Sequence, residues 1–188
     1  MSLLVLGLIL FLGVHSVAIA APGWRSATIA RVGEQRWKGL YTLVSLVGFV
    51  LLLYGYGQAR MQPVVLYTPP AGLRHLALVL MLPVFPLLFA AYMPGRLQRV
   101  TRHPMLLATK FWALAHLLAN GTLADVLLFG GFLAWAVADR ISVKGRPAKV
   151  YAEGSGRNGG IAIVGGLVVY AVFVLWVHAW LFGVSPRP

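Results

Sequence analysis

Six apolar stretches, spanning roughly residues 3–21, 40–57, 73–93, 105–120, 123–138 and 161–182, leave this chain few folds to choose from. A helix needs roughly 20 apolar residues to cross a hydrocarbon core of about 30 Å. Most of the six come near that length, and the fourth and fifth are short. Only Asn120-Gly121-Thr122 separates those two, so they read as a tight helical hairpin. Backbone polar groups in lipid must be satisfied within their own segment, which makes each span a helix. Composition agrees, because 60% of the 188 residues are hydrophobic and 11% charged, against about 25% charged in a soluble domain. The expected fold is an all-α polytopic membrane bundle of about six transmembrane helices, forming a single domain over residues 1–188.

Ala18-Ile19-Ala20 has the small-x-small form of a signal-peptidase site, yet no Lys or Arg precedes the apolar run, so the positive leader region is missing. The first stretch is read as a retained helix. Orientation follows from the cations. Arg25, Arg31, Arg36 and Lys38 lie in the first loop, Arg96, Arg99 and Arg102 in the third, and Arg140, Lys144, Arg146, Lys149 and Arg157 in the fifth. The alternate side holds only Arg60, Arg74 and Arg187. The positive-inside rule puts those three basic loops in the cytoplasm and both termini on the non-cytoplasmic side. The net charge of +12 is thereby explained by anionic lipid headgroups, with no nucleic-acid partner. Residues 140–160, rich in Gly, Arg, Lys and Ser, read as a flexible basic cytoplasmic loop before a final span at 161–182. The loop Gln62-Pro63-Val64-Val65-Leu66-Tyr67-Thr68-Pro69-Pro70 is apolar and proline-rich, and reads as a lid at the interface.

The absence of cysteine excludes disulfides, iron–sulfur clusters and thiolate chemistry. Five histidines remain as the soft metal ligands. An ionisable side chain inside an apolar span is costly and asks for a partner, ligand or metal. His15 shares a helical face with Leu4, Leu8, Phe11, Leu12 and Ile19, so its partner must come from another helix. Met105, Thr109, Trp112, His116 and Asn120 fall along one stripe of the fourth span. That polar and aromatic stripe is expected to face the bundle interior. His103, in Arg102-His103-Pro104, sits at the cytoplasmic boundary, where a helix-entry role suffices. His75 opens the third span, and His178 between Trp176 and Trp180 reads as an aromatic-belt position. Asp139 is expected to pair with Arg140, and Glu34 with an arginine.

Depth limits which histidines can meet. At 1.5 Å per residue, His15 lies roughly 10 Å and His116 roughly 20 Å from the cytoplasmic face. His116 can therefore reach either His15 or His75, whereas His15 and His75 are too far apart.

Several blocks together resemble the NnrU family over roughly residues 1–140. They are Gly13-Val14-His15-Ser16, Gly33-Glu34-Gln35-Arg36-Trp37-Lys38-Gly39-Leu40-Tyr41, Thr68-Pro69-Pro70 with Arg74-His75-Leu76, Arg102-His103-Pro104-Met105-Leu106 and Ala115-His116-Leu117-Leu118-Ala119-Asn120-Gly121. The resemblance implies a multipass protein of the bacterial inner membrane, associated with nitric oxide and nitrite metabolism in denitrification. NnrU proteins are in turn similar to zeta-carotene isomerase, a haem b enzyme with histidine ligands. That similarity implies haem b on His15 and His116, with His103 also matched. His75, allowed by depth, and Trp112 and Asn120, on the stripe of His116, are the further cofactor-binding candidates. The resemblance also implies a small-molecule ligand, either nitric oxide or an isoprenoid-like compound. Any enzymatic activity would then be haem-dependent isomerisation or redox chemistry. Arg102-His103-Pro104 also resembles the entry motif of membrane isoprenylcysteine and phospholipid methyltransferases. Those enzymes carry a later pair of acids where this chain reads Ala138-Asp139-Arg140-Ile141-Ser142. A non-catalytic accessory protein, its histidines bonding only between helices, is the remaining reading.

Overall fold

Gly48, Leu52, Gly55 and Ala59 recur at spacings of four, three and four, which is one face of one helix. In the computed structural model, which describes residues 1–146, 151 and 153–187, α3 (Glu34–Met61) buries that face against α1 (Ser2–Ala20). A Cβ on Gly48 would stand 2.7 Å from the Phe11 amide nitrogen. Cβ atoms on Gly7 and Gly55 would run into the backbones of Leu52 and Leu4. Apolar tails already solvate the helices in lipid, so such backbone-to-backbone contact is what holds them together.

The other helices are α2 (Pro22–Val32), α4 (Ala71–Met81), α5 (Val84–Tyr92), α6 (Arg96–Thr101), α7 (Pro104–Ala119), α8 (Leu123–Ser142), α9 (Gly156–Val172) and α10 (His178–Phe182). A 3₁₀ turn at Val143–Gly145 prolongs α8, and a π-helical turn at Phe173–Val177 joins α9 to α10. Among the described residues there is no strand, only an antiparallel bridge between Val65 and Thr122. Taking α4–α5 and α9–α10 as continuous, five helices are long and apolar enough to cross a membrane. The sixth candidate, α7, has 16 residues and so reaches only about 24 Å.

The helices pack as a row, α3 on α1, α1 on α8, α8 on α7, α7 on α4 and α5, and α5 on α9. The centre of the row carries the core. Leu4, Leu52, Ala113, Ala124, Leu128 and Phe129 form one buried cluster, and Val84, Leu87 and Ala108 a second. Trp112 packs against both.

The structure departs from the sequence expectation in several places. The first basic loop contains α2, an 11-residue helix entered through Pro22 and ended at Gly33 with φ 87°, a backbone angle that favours glycine. α3 starts six residues earlier than the apolar run because Glu34-Gln35-Arg36-Trp37-Lys38 is helical, and Glu34 pairs with Lys38 at 2.8 Å rather than with an arginine. The third span is broken between Met81 and Val84, where Pro83 has no N–H to continue the helix. Both margins of the 140–160 stretch are helical, belonging to α8 with its 3₁₀ turn and to α9. Lys149 of that basic loop lies outside the described residues. Asp139 pairs with Arg146 at 3.3 Å instead of with Arg140. Arg146 also donates to Ala18 O at 2.9 Å, tying α1 to α8 at the end of the bundle that carries the basic loops.

Candidate functional site

His15 stands four residues after Phe11 on α1, and its Nδ1–H donates to Phe11 O at 2.6 Å. A carbonyl only accepts, so the proton is on Nδ1 and the Nε2 lone pair is left open. His116 repeats the arrangement on α7, donating from Nδ1 to Trp112 O at 2.8 Å. A backbone carbonyl that fixes the tautomer in this way is the usual outer-shell partner of a metal-binding imidazole.

The two rings do not touch. His15 lies against Phe11 (centroids 4.3 Å apart), Tyr41 (5.2 Å) and the edge of Trp135 (5.9 Å). His116 stacks on Phe129 at 4.5 Å and leans on Trp112 at 5.4 Å. Phe132 fills the gap, 5.7 Å from Phe11 and 5.4 Å from Trp112. Both histidines thus address one face of α8, at the levels of Trp135 and Phe129. Six residues of rise place them about 9 Å apart in depth, which matches the offset read from the sequence. A flat cofactor sandwiched between them requires Phe11, Trp112 and Phe132 to part.

Open space lies beside His15. A groove of about 460 Å³ runs between the last turns of α1, Arg25 and Ile29 of α2 and the first turns of α3. His15, Val14, Val17 and Ile29 give it apolar and imidazole walls, and Trp37 and Tyr41 add aromatic ones. Arg25, Lys38 and Glu34 stand around it. Its volume falls within the range of about 300–1,000 Å³ usual for small-molecule and cofactor sites. A histidine, aromatic walls and flanking cations are residue types compatible with a haem b site. Beside His15, the buried Trp135 Nε1–H has no acceptor among the described residues.

The remaining sequence candidates scatter. Asn120 donates from Nδ2 to His116 O at 2.9 Å and so caps α7. Trp112 is a packing hinge between the two core clusters. Met105, on the stripe expected to face inward, is exposed. His103 is the residue before Pro104 at the start of α7, and its amide donates to Thr101 O at 2.6 Å. Arg102 beside it holds φ 57°, the only non-glycine residue with positive φ among those described. His75 is exposed near the start of α4, and no contact among the described residues joins it to His15 or His116. His178 donates from Nδ1 to Val184 O at 2.7 Å, next to Phe173 and Phe182.

A second polar centre escaped the sequence reading. Asp125, 5% exposed, accepts from Tyr56 Oη–H at 2.6 Å, Thr122 Oγ1–H at 2.6 Å and Thr122 N–H at 2.9 Å. Thr122 and Asp125 form a capping box at the start of α8, a pattern that Thr-x-x-Asp before an apolar run announces. The expected lid is clamped onto the same turn. Leu66 and Tyr67 amides donate to Gly121 O, Leu123 N–H donates to Val64 O, and Tyr67 Oη–H donates to Leu117 O. Partial burial, with the Asp125 carboxylate nearby, pushes the Tyr67 phenol above its ordinary pKa.

Stacked apolar helices and glycine-mediated backbone contact, with histidines set inside apolar helices, define a polytopic helical membrane protein. Within that class the chain belongs to the NnrU family, whose model, described as NnrU protein, matches residues 3–186. No curated protein and no solved structure matches the chain.

Proposed function

We propose that this NnrU-family protein is a haem b protein of the bacterial inner membrane, serving nitric oxide and nitrite metabolism, with the iron held by His15. The observation that carries this reading is the Nδ1–H bond from His15 to Phe11 O beside a groove of cofactor size. It leaves Nε2 as the free donor atom of a residue that also lines the groove with Val14, Val17 and Ile29. His116 has the same free Nε2, and it is the second ligand if the rings of Phe11, Phe132 and Trp112 separate. Haem iron, if bound there, would supply one-electron chemistry and an affinity for nitric oxide. The chain's own part is to fix the imidazole, wall the ring with Trp37 and Tyr41, and exclude water through Val14 and Val17. The positive-inside rule applied to the basic loops supports a cytoplasmic position for this groove.

The test is a haemin titration of detergent-purified protein, followed by its Soret band. Wild-type protein is expected to take up one haem, with the band shifting on addition of nitric oxide. The His15→Ala variant is expected to lose it. A protein that stays colourless with haem supplied, and binds none on reconstitution, leaves the histidines with packing roles only.

A further inference from the structure

The rim of the α1–α2–α3 groove carries a charge imbalance that packing does not explain. The Arg25 guanidinium makes no hydrogen bond or ion pair among the described residues. Among the described residues Lys38 is held only by Glu34, one turn earlier on α3, and both side chains are more than 60% exposed (61% and 67%). Such solvent-screened pairs contribute little, so Lys38 is free to turn to another anion. Two cations from two helices therefore stand over an apolar slot with a net surplus of one positive charge. Trp24 and Trp37 meet edge to face at 5.8 Å and hold α2 against α3, which keeps Arg25 over the opening.

We propose that this groove recognises an amphiphile by its carboxylate arms, with Arg25 and Lys38 gripping the arms and the apolar body lying against α1. For the porphyrin of the reading above, on which the identity of the ligand rests, the arms are the two propionates. Arg25 suits such a contact because its planar fork matches a carboxylate with two parallel bonds. Neither residue is the proposed iron ligand; each sets which porphyrins enter and which way round they sit.

Metal-free protoporphyrin IX separates this proposal from iron ligation, because it has the arms but no metal for His15. Full-length protein in nanodiscs of zwitterionic lipid is titrated with the diacid and with its dimethyl ester, following porphyrin fluorescence. Wild-type protein is expected to bind the diacid about tenfold more tightly than the ester, a preference that shrinks with added salt. The Arg25→Gln/Lys38→Gln protein is expected to lose about tenfold for the diacid, equivalent to about 1.4 kcal/mol, and nothing for the ester. Both positions are exposed on helix surfaces, and an unchanged elution volume shows that the variant is folded. Equal binding of diacid and ester by wild-type protein, no binding of either, or full diacid affinity in the double variant overturns the proposal. Diacid discrimination in a protein that takes up no iron haem sinks the haem reading and leaves this one standing. A His15-dependent Soret band without that discrimination does the reverse.

Discussion

Replacing Tyr56 by Phe removes one oxygen and breaks the side-chain bond from α3 to the Asp125 carboxylate on α8. Two bounds frame the expected cost. Hydrogen bonds to charged groups contribute about 1.5–3 kcal/mol in soluble proteins, whereas interhelical bonds in a bilayer average about 0.6 and reach about 1.7 kcal/mol. Asp125 keeps its two bonds from Thr122 when Tyr56 is lost, so Tyr56→Phe is expected to cost about 1–1.5 kcal/mol. Asp125→Ala removes all three bonds, abolishes the capping box and strands the Tyr56 hydroxyl, for about 3–4 kcal/mol. In the double variant the Tyr56 hydroxyl is no longer there to be stranded, so its cost falls short of the sum by about 1 kcal/mol. Reversible unfolding in mixed micelles, followed by tryptophan fluorescence, measures the cycle. Additivity within about 0.4 kcal/mol would refute the reasoning, since it would mean that Tyr56 and Asp125 do not act on each other.

Gly48→Leu is expected to force α1 from α3 and abolish the folded monomer peak in size-exclusion chromatography, because even a Cβ there meets the Phe11 backbone; an unchanged peak contradicts the close contact. Gly121→Ala drives a methyl group into the Tyr67 carbonyl and is expected to lift the lid, so limited proteolysis should cut within 62–70 faster than in wild-type protein. His75→Ala, at an exposed position, is expected to leave the Soret band unchanged, and its loss would bring α4 into the site.

Much of the fold was legible because lipid imposes its constraints residue by residue. The apolar runs gave the spans, and Asn120-Gly121-Thr122 gave the hairpin. The cation pattern grouped the basic loops at the end where Arg146 meets Ala18. What the runs concealed was helix without apolar character. α2 and the first turns of α3 carry Arg25, Arg31, Arg36 and Lys38, and a hydropathy reading turns such residues into loop. The groove was lost with them, since its walls and rim come largely from those segments. His15 and His116 were both legible as costly residues in apolar spans, and their depth offset was close to the observed one. The rings between them were not. Phe11 and Phe132 look like ordinary packing in the sequence and Trp112 like a site wall, and only the stacking of α1 and α7 on one face of α8 puts all three in the gap. The Asp125 centre had a local signal in Thr122-x-x-Asp125, but its partner Tyr56 lies 69 residues away and no local pattern joins them.

The central claim, that His15 Nε2 is the ligand atom, is tested most directly by chemical rescue. His15→Gly removes the imidazole and leaves room for a free one beside Phe11 and Tyr41. The account predicts that this variant, purified with haem supplied, lacks the Soret band and regains it when imidazole is added. A His15→Gly protein that keeps the full wild-type band without imidazole contradicts it.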